Sequence, residues 1–316
     1  MQRASTEPVS QRSKRAEAWP PLPLALWRDT YRTLHLYFQI VGKVKLALTP
    51  KTNQWWNVAF HLTANGLTTL PMPVDATGDV TVEIDFDFIH QVLLVKRSDG
   101  EERAIPLAPR SVKDFHRELF AALAELGVAV HIWPVPVEIP MTKPFTEDDE
   151  HRAYVPEHAL RFWRVLRRVE PVLEVFRARY RGKCSPVHFF WGTCDLAVTR
   201  FSGRRAPPRA GSIIERDAYD EEVSSVGFWP GEDWAEVGAT EAAFYAYAVP
   251  EPPGFSAAKV LPAEASYDPR LKELILPYEV VRAAPDPARA ILDFAQSSYD
   301  AASTLGRWDR ARLAYP

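Results

Sequence analysis

The stretch from Gly182 to Arg205, GKCSPVHFFWGTCDLAVTRFSGRR, gathers one His, one Asp, three Arg and two aromatic clusters into a pattern that alternates like a hairpin. Gly192-Thr193 at the tip fits a type II′ turn, with Gly in the first central position, and sets Trp191 opposite Cys194. Alternation then sorts the side chains: Val187, Phe189, Trp191, Cys194, Leu196 and Val198 share an apolar side that must be core. His188, Phe190, Asp195, Ala197 and Thr199 share the other side, where Asp195 lies diagonal to His188. A carboxylate beside an imidazole fixes its tautomer and raises its basicity, the orienting half of a general acid–base pair. In that reading His188 is a base, oriented by Asp195 or Glu222, for a hydrolytic or transfer reaction. The competing reading is a structural His–Asp pair on a β-face.

Arg200 and Arg204, with Arg205 and Arg209 beyond them, could clamp a carboxylate or phosphate, because a guanidinium fork matches both anions bidentately. The same arginines could instead pair with the acidic run Glu215, Asp217, Asp220, Glu221 and Glu222. Trp191 and Trp229 are candidate aromatic walls that would exclude water from a ligand. No nucleophile stands out, since neither Ser185 nor Ser202 sits in a Gly-x-Ser-x-Gly elbow. Cys184 and Cys194 lack a basic neighbour and read as small hydrophobes. No Cys-x-x-Cys or His-x-x-x-His spacing announces a metal site, and no cofactor is indicated. His35, His61 and His90 read as structural.

The elements that must position these residues fall into two groups. Leu26, Tyr31, Leu34, Phe38 and Val41 recur at helical spacing until Gly42. Period two follows in KVKLAL, WWNVAFHLT, VTVEIDFDF, QVLLVKRS and RAIPLA, all expected as strands. Ser111 caps a helix with Val112, Phe115, Leu119, Leu123 and Leu126 on one face, and VAVHIWPVPVEIP adds a strand. Residues 141–156 are polar and Pro-bounded, the best linker. The pattern then restarts with a helix from Pro156 to Arg181 and ends with one from Pro287 to Thr304. The expected fold is α+β: lobes over 19–140 and 157–316, each a mostly antiparallel sheet with packed helices. A helix ending in Gly-Lys opens both lobes (Gly42-Lys43, Gly182-Lys183), which fits an internal duplication with a cleft where the lobes meet.

Composition narrows the partners. A net charge of −3 gives no field to draw the chain onto nucleic acid. No run of about 18 apolar residues is present to span a membrane. Residues 1–18 lack the apolar stretch of a signal peptide and read as a disordered tail. Two Cys suit a reducing compartment, so the cytoplasm follows by elimination. Ten Trp fit large aromatic cores or an aromatic-lined cleft. The leading expectation is a small polar or anionic ligand bound near the hairpin and the GFWPG strand. A non-catalytic scaffold or interaction protein is the alternative, and no feature sets an oligomeric state.

WPPLPLALWRDTYRTLHLYFQIVGKVKLAL, IDFDFIHQVLLV, GKCSPVHFFWGTCDLAVTRFSGRRAP, GFWPG and FYAYAVPEPPG together resemble the bacterial DUF5996 family, from Trp19 onward. The resemblance implies no activity, cofactor or partner. The family pattern reads Tyr-Ser-His-Glu before Gly-Phe-Trp-Pro-Gly, whereas this chain has Tyr219, Asp220, Glu221 and Glu222. Glu221 therefore stands where the pattern has His, and Glu222 matches its acid.

Overall fold

A 25-residue helix, α1 (Leu24–Leu48), runs through the middle of the molecule, and nearly every side chain from Thr30 to Lys45 is buried. A helix buried on all sides needs partners on all sides. Tyr37 stacks on Phe115 of α2 (Val112–Glu125) at 3.8 Å, and Phe38 sets its ring against Phe86 at 4.9 Å and Phe189 at 5.3 Å. Those two phenylalanines belong to different sheets, so one helix floors both. The computed structural model describes residues 19–75, 77–232, 234 and 240–315. The expected tail 1–18 lies outside the described residues.

The first sheet is antiparallel, in the order β1 (His61–Leu62), β2 (Gly66–Thr68), β4 (Thr81–Asp87), β5 (Val92–Arg97), β6 (Glu102–Pro106), with β3 (Met72–Pro73) also on β4. The second is also antiparallel. Its order is β11 (Ser266–Asp268), β12 (Glu273–Pro277), β10 (Thr240–Val249), β9 (Glu221–Glu232), β8 (Asp195–Arg205), β7 (His188–Phe190). Helices α3 (Pro156–Ala178) and α6 (Pro287–Leu305) cover its apolar face with Phe162, Leu166, Leu173, Phe176, Ile291 and Phe294. Short helices α4 (Ile213–Ala218), α5 (Tyr278–Ala283) and α7 (Arg310–Leu313) complete the chain. The α+β expectation is thus met.

Residues from both halves share one hydrophobic cluster. The segment before α1 reaches the far half as well: Leu24 N–H donates to Glu241, Tyr278 Oη to Pro20 O, and Arg282 Nε to Trp19 O. Within residues 141–156, Phe145–Glu147 form a 3-10 turn and Pro156 begins α3, and the segment is fastened to the start of α2 by Val112 N–H to His151 O and Lys113 N–H to Asp148 O.

Several expected elements differ. Lys43–Leu48 continues α1 instead of forming a strand, and Gly42 does not stop the helix. A Cβ at Gly42 would collide with the indole of Trp191, so close packing explains that glycine. Residues 53–58 form a tight turn with Gln54 and Trp55 at positive φ, where a strand was expected. No strand forms in 128–140. The Arg204–Asp217 loop holds the start of α4, whose N-cap Ser212 closes a capping box with Glu215. The duplication is not shown: only one of the two Gly-Lys pairs follows a helix end, and the sheets differ in strand order.

Candidate functional site

The edges of the two sheets meet at a single point. Phe60 and Phe189 exchange a pair of backbone hydrogen bonds, both 2.9 Å, in an antiparallel bridge. Both rings turn into the core, and the residues flanking the bridge turn the other way. Antiparallel pairing therefore sets His61 of β1 against His188 of β7, with ring centroids 5.1 Å apart and planes at 86°. The Trp56 indole lies edge-on to His188 at 6.3 Å, and Phe190 at 5.7 Å. From the last turns of α1, Lys45 reaches Ala59 O with its ammonium.

Charge at this junction is one-sided. Lys45 is buried, and desolvation pushes its pKa down to about 8. Burial and Lys45 bring His61 down to about 4. His188 falls to about 3, chiefly through burial, then through His61, Lys45 and Arg177. Both imidazoles are therefore neutral at pH 7. His188 is 2% exposed and its Nδ1 has no hydrogen-bond partner. Such a buried orphan is costly and calls for a ligand or water. Among the described residues, no carboxylate pairs with Lys45.

The hairpin register is as expected, with Phe190 opposite Asp195 and His188 opposite Ala197. Its turn is not type II′: Cys194, not Gly192, holds the positive φ of 62°, and Cys194 N–H donates to Phe190 O. Asp195 does not pair with His188. Its carboxylate accepts from Thr193 Oγ1 and Tyr245 Oη, and burial raises its pKa. Glu222 is elsewhere, accepting from Ser202 at 2.9 Å and Arg204 Nε at 2.8 Å. Arg204 also donates to Arg307 O and Gly306 O beyond α6, and the Arg204–Glu222 and Arg205–Asp220 ion pairs join the basic loop to the acidic run. Arg200 is on the core face, 1% exposed, caged by Phe176, Tyr180 and Tyr299. Trp191 is core, donating to Val58 O, and Trp229 is half-buried on the polar face opposite Ala243. Burial raises the Cys184 thiol to about 11, as for an inert side chain.

The face of the second sheet that bears His188 continues through Asp195, Thr199, Ser225, Tyr245 and Tyr247. Thr199 Oγ1 meets Ser225 Oγ at 2.9 Å, and Tyr219 Oη meets Tyr247 Oη at 3.1 Å. Gly227 makes room for this network, since a Cβ there would fall 2.5 Å from Tyr245 Oη. On β12, burial, Asp195 and Asp268 raise Glu273 to about 7. Lys45, Tyr245 and Glu273 were not singled out from the sequence. Among the described residues, no group of three or more His, Cys, Asp or Glu could hold a metal ion.

Two antiparallel sheets hinged at one bridge over a shared helix define an α+β protein with a polar seam at the junction. The chain belongs to DUF5996, a family of unknown function, whose sequence model matches residues 19–315. No curated protein and no solved structure matches the chain. No helix among the described residues is long and apolar enough to cross a membrane.

Proposed function

We propose that the protein binds a small anionic molecule at the Lys45–His61–His188 junction, with Trp56 as its aromatic wall. The observation that carries this reading is the buried, unpartnered His188 Nδ1 beside an ammonium that has no carboxylate. An anion there would accept from Lys45 and from imidazole N–H groups, charge-assisted bonds of the stronger kind. It would also supply the negative charge that lets the two histidines protonate. From the sequence a small polar or anionic ligand was expected at Arg200 and Arg204; this reading keeps an anion and assigns it to Lys45, His61 and His188 instead.

Titration with inorganic phosphate and with acetate, followed through the imidazole C–H resonances of His61 and His188, tests the reading. Saturable shifts at both histidines, lost in a folded Lys45→Met variant, are expected. Shifts that persist in Lys45→Met, or no response to either anion, would leave the junction a structural seam in a non-catalytic scaffold.

A further inference from the structure

A cavity of about 370 Å³ opens on the opposite side of the second sheet from the junction histidines, beyond the C-terminal end of α6. Its walls are Val249, Pro250, Pro252, Leu305 and Trp308, an apolar set with one large aromatic face. The volume lies within the range of small-ligand pockets, and pockets of this kind orient their ligand with a few polar groups. Here the ionisable groups in the wall are carboxylates alone, Glu222 and Glu251. All three hydrogen bonds to Glu222, from Ser202 and from two nitrogens of Arg204, land on Oε2. Oε1 carries none. Glu251 accepts at Oε2 from Tyr267, 2.7 Å away, and forms no ion pair among the described residues.

Gly306, which follows the last residue of the 19-residue α6, also lines the cavity. A helix C-terminus carries partial negative charge from its free carbonyls. Arg204 takes up part of that charge through Gly306 O and Arg307 O, but it is not in the wall. Arg204 neutralises Glu222 in an ion pair, so Glu251 is the carboxylate left without a cation at the edge of an apolar chamber whose lining holds no basic side chain, and it favours positive charge on a hydrophobic body.

We infer that this cavity is a second binding site, distinct from the junction, for a small organic cation: a primary amine on an aromatic or branched aliphatic group. The body packs on Trp308, Leu305 and Pro250, and the ammonium faces Glu251 and Glu222 Oε1.

Phenethylamine and 3-phenylpropionate are the matched probes, alike in body and opposite in charge, followed by backbone amide shifts in the full chain. The amine is expected to shift residues 248–253 and 302–308 saturably and to bind at least about tenfold more tightly than the acid, a difference of about 1.4 kcal/mol. Glu251→Gln and Leu305→Ser, both at exposed side chains, should each weaken the amine by about threefold or more. The inference is overturned if the acid binds as well as the amine, if neither variant changes its affinity, or if the shifts map elsewhere.

Discussion

The guanidinium of Arg200 lies 3.4 Å from the centroid of the Phe176 ring and donates to the carbonyl oxygen of the same residue. Tyr299 and Tyr180 close the cage at 4.4 and 4.9 Å, and Nε has no partner. Burial pulls the Arg200 pKa down to about 10, which still leaves the charge in place at pH 7. Aromatic faces and a carbonyl, with no carboxylate among its hydrogen-bond partners, hold it between β8, α3 and α6.

Arg200→Lys should therefore cost more than Arg200→Met. Lysine buries a compact, strongly hydrated ammonium that cannot lie flat on three rings, a loss of about 3 kcal/mol, whereas methionine fills the cage without a charge. Urea unfolding midpoints of the two variants decide the order.

Gly227→Ala forces a methyl between Tyr245 Oη and Leu196 O, 2.5 and 2.8 Å away. Overpacking of this kind costs about 1–3 kcal/mol. Tyr245→Phe should relieve only the hydroxyl clash, so the double variant stays less stable than Tyr245→Phe alone, as thermal melts of the three proteins would show.

Acid should destabilise the protein through its histidines. His61 and His188 have folded pKa values near 4 and 3, below the ordinary 6.5. Below about pH 6.5 the unfolded chain takes up protons that the folded chain refuses, so their contribution, present above that pH, is lost as pH falls toward 4 and 3. Glu273, raised to about 7, works in the opposite sense: its contribution is full below 4.5 and fades as pH rises through 7. His61→Gln should thus flatten the loss of stability between pH 7 and 5, and Glu273→Gln should steepen it, in urea titrations at the two pH values.

Anion affinity at the junction should rise on acidification from pH 8 to 6. Lys45, pulled down to about 8, gains its full charge over that range, and a bound anion raises both histidine pKa values, so binding takes up protons. Phosphate changes its own charge near neutrality, so acetate is the cleaner titrant. Weaker acetate binding at pH 6 than at pH 8 would count against the site.

Trp191→Ala should cost about 3–5 kcal/mol, the usual loss for a large buried aromatic, while His188→Gln costs about 1–2 kcal/mol and removes the anion response. Equal destabilisation by the two would make His188 a packing residue.

The hairpin was the most legible part of the molecule. Its register follows from alternation alone, and Val187, Phe189, Trp191, Cys194, Leu196 and Val198 are all buried as that alternation requires. Ser111 marked the start of α2 because its side chain accepts from Asp114 N–H, a purely local signal. Lys43 and Lys45 misled, since their alternation with Val44 and Leu46 mimics a strand while distant packing keeps them helical. The junction was hidden for the same reason. His61 meets His188 only through one backbone bridge between remote strands, and nothing local to either residue encodes it. Asp195 was placed on the face of His188 and read as its partner, but its carboxylate is taken by Thr193 and by Tyr245, two strands away across Gly227.

The central position of α1 bears on how the chain is made. It is made before its partners, yet Phe38 packs on Phe189, and the start of the helix and the residues before it are tied to Glu241, Tyr278 and Arg282. Chains emerge from the ribosome N-terminus first, and contacts this remote in sequence form slowly. The nascent chain must therefore carry an oily helix with one flank bare until the residues from Phe189 to Arg282 have been made. Holdase chaperones would find their grip there, and a transcript cut short before Tyr278 would yield an aggregating fragment instead of a folded first lobe.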